Sequence, residues 1–363
     1  MIDQLAPDTN LPPAIALRRL IFGHRVTTMI AIATQLGLAD LLGDGAYTAD
    51  ELARQVGVQP RALERLLRAL SSIGIIAAHS EGRYGLTPIG QCLRHDAPDS
   101  QRSWVLLESA DFFQHAWSHL GNAIETGIPA AEHALGMPFY RYMAGHAHVG
   151  ALFQRAMSEA SQLAADAVVA AYPFAPHTRV VDVGGGYGTL LIAILRAHPT
   201  VRGVLFDRPE VIDAARERLA AAGVLDRCEL VGGDFFAAIP GGGDVYILSR
   251  ILMDHNDAHS LQILRQCHAA MAENGQLLVI QQVLPDDASD STLYDGALSD
   301  MNMLVFLPGG ERTLAEYRAL LREAGFALTS IVATRALMSI VEGTRTVTER
   351  AVGAAPVNGN RGR

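Results

Sequence analysis

The chain has 363 residues, of which 49% are hydrophobic and 18% charged, a composition that excludes a globally disordered protein and leaves room for two domains. Its formal net charge of -9 argues against nucleic acid or an anionic membrane surface as a partner. Cys92, Cys228 and Cys267 form no CxxC pair, so neither a disulfide framework nor a thiolate zinc site is expected, and no metal.

No apolar run is long enough to cross a bilayer. The start, Met-Ile-Asp-Gln, lacks the basic and apolar stretches of a signal peptide, so the cytoplasm is the expected compartment. Residues 1–12 are polar, contain proline and are expected to be loose. From Ala14 to about Leu42 apolar residues recur at helical spacing. Ile21, Phe22, Val26, Met29, Ile30, Ile32 and Leu36 are more than one helix face needs, and this predicts a second copy of the chain against the other face. Thr48-Ala-Asp-Glu51 is a capping box, Leu52 and Val56 give its helix an apolar face, and Pro60 to Ile73 reads as the next helix. Ile75–Ala78 and Tyr84–Leu86 flank Glu81-Gly82 as a short hairpin. Helix, turn, helix and hairpin make a winged-helix arrangement.

Residues 105–170 read as several helices rich in aromatics. From Arg179 short β-branched runs alternate with helical stretches near 189–197, 209–222 and 257–272. The predicted strands are Val180–Val183, Gly203–Phe206, Cys228–Gly232, Asp244–Leu248 and Gln276–Gln281. Such alternation predicts an α/β, Rossmann-like, parallel doubly wound sheet. The expected division is 1–104 for the winged helix, 105–172 for a helical linker and pocket segment, 173–346 for the sheet domain, and 347–363 for a disordered tail.

The strongest local signal is Val180-Val-Asp-Val-Gly184-Gly185-Gly186-Tyr187-Gly188, a buried strand running into a glycine turn. Thr189 breaks the GxGxxG spacing that a dinucleotide pyrophosphate needs. This favours S-adenosylmethionine, which has no pyrophosphate. Asp207 closes the second strand, where an acidic residue accepts hydrogen bonds from both ribose hydroxyls. Asp234 closes the third, placing it and Phe235 near an adenine. Any one of these features alone is as often a tight turn or a helix cap. All three at one sheet edge point to a nucleoside ligand.

Together with Phe206-Asp-Arg-Pro-Glu-Val, Gly232-Gly-Asp-Phe-Phe and Pro308-Gly-Gly-Glu-Arg-Thr313, these residues resemble the small-molecule methyltransferases. That family comprises caffeic acid O-methyltransferase-like enzymes and bacterial polyketide and phenazine methyltransferases, and the resemblance spans roughly residues 15–345. It implies a homodimer interlocked through the N-terminal domains, with the substrate pocket capped partly by the partner. It implies cofactor contacts from Gly184, Gly186, Asp207, Asp234, Phe235 and Ser249, the last standing where many members have lysine.

The sequence departs from the family at its general base. The family's histidine position holds Met253, and the glutamate that orients it is replaced by Gln281, while a second supporting glutamate is kept as Glu311. A thioether takes no proton. His255, two residues on, would stand about 200° round a helix and so face elsewhere.

Phe112, Phe113, Trp117 and Phe153, with Met157, Met303 and Phe306, are expected to line a pocket for a flat aromatic or heteroaromatic molecule. For Phe153 and Met157 a plain core role is about as well founded. The resemblance puts Asp300 at the pocket floor. The expected activity is methyl transfer to an oxygen or nitrogen of a small aromatic secondary metabolite. Without a base, it would proceed by proximity on a nitrogen lone pair or an oxygen already ionised. A second reading keeps the cofactor but performs hydroxylation, decarboxylation or a pericyclic step. A third is a DNA-binding regulator, from Arg61, Arg65 and Arg68 on the second winged helix. Glu51 and Glu64 dilute that charge, and dimerisation is favoured.

Overall fold

The computed structural model describes residues 11–287, 289–290 and 293–346. Most of the expected loose start and all of the expected tail at 347–363 lie outside the described residues.

The N-terminal part holds α1 (Pro13–Ile21), α2 (Gly23–Gln35), α3 (Leu38–Leu42), β1 (Tyr47–Thr48), α4 (Ala49–Val56), α5 (Pro60–Ser72), β2 (Ile76–Ala78), β3 (Arg83–Leu86) and α6 (Pro88–Gln91). The helical periodicity predicted through Leu42 is cut twice. Phe22 ends the first helix, and Gly37, at φ +67°, ends the second in the left-handed conformation that glycine adopts without a Cβ penalty. The capping box is present. The Glu51 N–H donates to the Thr48 hydroxyl at 3.2 Å, and the Thr48 N–H donates to the Glu51 carboxylate at 2.7 Å. Leu52, Leu63, Leu67 and Leu70 fill the small core below it. Leu17 and Ile21 on α1 stay 59% exposed on the single chain.

Six helices follow: α7 (Arg102–Glu108), α8 (Asp111–Ser118), α9 (Leu120–Thr126), α10 (Ala130–Leu135), α11 (Phe139–Gly145) and the long α12 (Ala147–Ala171). Their aromatic residues form one cluster with Met253, Met303 and Phe306.

The remainder runs β4 (Arg179–Val183), α13 (Thr189–Ala197), β5 (Arg202–Asp207), α14 (Pro209–Ala221), β6 (Cys228–Gly232), β7 (Val245–Ser249), α15 (Asp257–Ala270), β8 (Gln276–Gln281), β9 (Val283–Leu284), α16 (Leu293–Phe306), β10 (Arg312–Thr313), α17 (Leu314–Glu323), β11 (Phe326–Ala333) and β12 (Ser339–Arg345). The main sheet has the order β11-β12-β8-β7-β4-β5-β6. Strands β4 to β8 are parallel, and β12 is antiparallel to both β8 and β11.

The strands alternate between two cores. Val180, Leu205 and Ile247 pack under α12, α13 and α14, while Val181, Val204 and Tyr246 pack under α15 and α17. The order reverses at β4, which has β5 on one side and β7 on the other, so the C-terminal ends of these strands open a crevice. The five predicted strands are all present. The sequence reading did not name β11 and β12; along the edge strand β11 every second residue is exposed, so it forms no continuously buried run.

Candidate active site

The crevice is a cavity of about 280 Å3, near the small end for small-molecule sites. It has two halves. The first lies over the glycine turn. Gly184, Gly186 and Gly188 have φ of +70°, +58° and +78°, which a side chain resists. Gly184 also has no space for a Cβ, because Ile251 lies against it and Phe235 just beyond. Asp207 is held in place from below. Its Oδ2 accepts from the Gly186 N–H at 2.8 Å and its Oδ1 from the Arg208 N–H at 2.7 Å, leaving further lone pairs for a ligand. Gly184, Gly186, Asp207 and Ser249 all line the cavity.

Asp182 lines it too, and the sequence reading passed over its role. Its carboxyl is 1% exposed, and neither oxygen has a partner among the described residues. Burial, and then the charge of Asp207, push it up to about 7. A buried carboxylate without a partner calls for a cation from the ligand. The readable signal was an acidic residue inside the apolar strand Val180-Val-Asp-Val. S-adenosylmethionine fits this donor set, since it carries an ammonium, a ribose diol and a sulfonium. Asp234 and Phe235, expected to contact the cofactor, are not on the cavity lining. Asp234 accepts from the Phe236 N–H at 2.9 Å, and Phe235 packs edge-on against the His255 ring.

Beyond Ser249 the chain forms a short 3-10 turn at Leu252–Asp254 rather than an α-helix. The Asn256 side chain accepts from the His259 N–H and caps α15, so the helix begins only at Asp257. The helical angle between Met253 and His255 therefore does not apply, and His255 is extended, at φ -123° and ψ 142°. Met253 is buried and faces the cavity. His255 does not line it, and its ring packs edge-on against Phe235 and Phe236. Burial, then the charges of His259 and Arg312, lower its pKa to about 4.

The turn is pinned by Arg312, which the sequence reading did not single out. Its guanidinium is buried and donates to the carbonyls of Leu252 and His255 at 2.8 and 2.9 Å, and to Asp257. The parallel pair β9 and β10 brings this arginine beside the end of β8. Gln281 is fully buried there, with neither amide atom partnered among the described residues. Glu311 accepts from the Ser299 hydroxyl at 2.7 Å, and burial pushes it up to about 7. Neither residue reaches the cavity lining. Asp300, expected at the floor, also misses it. Its carboxylate is turned to accept from the Glu311 N–H at 2.9 Å.

The second half is apolar. Phe113, Phe153, Met157, Met253, Met303 and Phe306 line it. Phe112 and Trp117, expected with them, stand behind. Phe112 stacks on Phe139 with centroids 6.4 Å apart, and the Trp117 indole N–H donates to Asn302 at 3.2 Å. Polar groups enter this half too, among them Arg250, Asp254, and Tyr140, whose hydroxyl donates to Asp254 Oδ2 at 2.6 Å. Burial raises Asp254 to about 6.

Comparison with known proteins agrees with this geometry. Residues 117–327 match an O-methyltransferase domain, and residues 18–96 match an O-methyltransferase dimerisation domain. The phenazine O-methyltransferase PhzM of Lysobacter antibioticus is 41% identical over 332 residues, covering 92% of this chain and 96% of that protein. The phenazine-1-carboxylate N-methyltransferase of Pseudomonas aeruginosa is 36% identical, covering 90% and 95%. A solved O-methyltransferase from neocarzinostatin biosynthesis, in complex with S-adenosylmethionine and 2-hydroxy-5-methyl naphthoic acid, superposes with a TM-score of 0.71. It is 33% identical and covers 88% of this chain and 96% of that chain. Fold, cavity and likeness converge on one conclusion: the chain belongs to the O-methyltransferase family and is an S-adenosylmethionine-dependent methyltransferase.

Proposed function

We propose that the enzyme methylates an oxygen or nitrogen of a small, flat aromatic or heteroaromatic metabolite, without an imidazole base. The observation that carries this is the Met253 side chain, buried on the cavity wall where a base would stand, in one cluster with Phe113, Met303 and Phe306. The relatives support the substrate class, since those reported act on phenazines or bind a naphthoic acid.

When bound, S-adenosylmethionine supplies a methyl carbon already activated by its sulfonium. The chain's part is alignment. Asp207 and the glycine turn fix one reactant, with Asp182 meeting its ammonium, while the aromatic and methionine side chains fix the ring of the other. The acceptor brings its own lone pair, as a ring nitrogen or an ionised oxygen.

The dimer is the working unit, with residues 1–104 joining two copies, 105–172 shaping the pocket and 173–346 holding the cofactor. We place it in the cytoplasm, in keeping with three free cysteines. Among the described residues no helix is long and apolar enough to cross a membrane.

The test is to incubate the purified dimer with S-adenosylmethionine and a panel of hydroxylated and nitrogen heteroaromatics. A product heavier by one CH2 is expected. Consumption of the aromatic with any other mass change would overturn the reading.

A further inference from the structure

Ser249 ends β7, and Arg250, the residue after it, lines the same cavity where a continued strand would turn it to the opposite face. The backbone explains this. Arg250 has φ +58°, a left-handed conformation that a non-glycine residue resists. It is held there by its N–H, which donates to the Ile280 carbonyl at 3.0 Å. The turn brings a guanidinium into a cavity half whose walls are mostly phenylalanine and methionine, beside the bonded pair Tyr140 and Asp254.

That guanidinium has little to bind. Among the described residues its one hydrogen bond is to the Met157 sulfur at 3.8 Å, and it makes no ion pair. A thioether is a weak acceptor for a group with five N–H donors. The nearby carboxylate of Asp254 is held by the Tyr140 hydroxyl. The charge of Arg250 acts on Tyr140, Asp254 and Glu311, in and behind the acceptor half. It is not among the influences on Asp182 in the cofactor half. A cation brought into a largely aromatic wall by a left-handed turn, and making no ion pair among the described residues, is arranged for a ligand's anion.

We propose that Arg250 anchors a carboxylate on the aromatic acceptor, so that the preferred substrates are aromatic acids. This rests on the reading of the acceptor half as an aromatic site. The planar fork of the guanidinium matches a carboxylate through two parallel N–H donations. Such an anchor orients the ring as well as holding it, and so selects which ring position meets the methyl group.

The experiment is calorimetry on the dimer preloaded with S-adenosylhomocysteine, comparing benzoate with benzamide and 1-naphthoate with 1-naphthamide. The carboxylates are expected to bind on the order of 10-fold or more tighter than their amides. Arg250→Gln should remove that preference by weakening the acids alone, and Arg250→Lys should keep part of it. Thermal melting of each variant reports whether it folds, and the wild-type comparison stands without them. Wild-type acids binding no better than their amides overturns the proposal. So does Arg250→Gln weakening S-adenosylhomocysteine while sparing the preference, which would assign the guanidinium to the cofactor's own carboxylate. Release of S-adenosylhomocysteine during turnover reads methyl transfer separately, so failure of the anchor and failure of the activity are distinguishable.

Discussion

The two halves of the cavity are built by different means. The cofactor half is made by backbone: three left-handed glycines, and two carboxylates at the ends of adjacent parallel strands, one of them bonded to the glycine turn. The acceptor half is made by side chains from α8, α11, α12, α16 and the turn after β7, residues far apart in the chain. A backbone site tolerates little change, because each part sets the position of the next. A side-chain site can be re-shaped one residue at a time. Substitutions in the first half should therefore remove binding, and those in the second should alter selectivity.

The largest effect is expected at Asp207. Asp207→Ala removes a charged acceptor from the ligand and also frees the Gly186 N–H it holds. S-adenosylhomocysteine affinity should fall by about 2–4 kcal/mol. Gly186→Val should do comparable damage by forcing a branched side chain to φ +58°. Calorimetry that finds either variant unchanged removes that residue from the site.

A smaller effect depends on pH. The folded pKa of Asp182, about 7, stands above its ordinary value of 3.8. For a raised carboxyl the folded state binds the extra proton. Its contribution to stability is therefore present below pH 3.8 and lost as pH rises toward 7. A ligand ammonium reverses this by pairing with the ionised form. S-adenosylhomocysteine should accordingly stabilise the protein more at pH 8 than at pH 5.5, by about 1–2 kcal/mol. Asp182→Asn should abolish the difference. Equal thermal shifts at both pH values in the wild type would remove the pairing.

These two residues also show how much the sequence revealed. Asp207 was legible because the strand, the glycine turn and the acidic residue about 20 positions on are local signals. Asp182 was overlooked because it sits inside the motif that announces the turn, and only three-dimensional burial shows that its oxygens lack partners. The five parallel strands and the capping box were readable for the same local reason. The acceptor half was read by residue type, and type does not reveal direction. Phe113 and Phe112 are neighbours on α8, yet one faces the cavity and the other packs on Phe139. Arg312 was legible only as part of the motif Pro308-Gly-Gly-Glu-Arg-Thr313 and Arg250 not at all, because the importance of each comes from contacts across the fold.

Dimer loss should separate the halves. Leu17 and Ile21 are 59% exposed on one chain, and the match to a dimerisation domain begins at residue 18. Leu17→Asp with Ile21→Asp should give a monomer by light scattering. S-adenosylhomocysteine affinity should persist while turnover drops, on the order of 10-fold, as the acceptor loses its alignment. If turnover is intact in a proven monomer, the partner does not shape the acceptor half.

The smallest expected change is the restoration of a base. Met253→His with Gln281→Glu rebuilds the family pair, with the imidazole on the wall of the acceptor half and the carboxylate behind it. If the native acceptor brings its own lone pair, the added imidazole has no proton to take, and the native rate should not rise. Activity on ordinary phenols, which must lose a proton, should open instead. In the wild type saturated with S-adenosylmethionine, the pH dependence of kcat should follow the acceptor's own pKa, with no general base adding an imidazole-like ionisation. His255 is the control. Its ring is outside the cavity lining, against Phe235 and Phe236, and burial lowers its pKa to about 4. An imidazole there takes a proton poorly at neutral pH and does not face the acceptor. His255→Ala should therefore change kcat little, acting only through the packing of Phe235 beside the glycine turn. A loss on the order of 100-fold with the fold intact is what removal of a general base produces. That outcome would assign the proton to His255 and require the turn after β7 to rearrange when the acceptor binds.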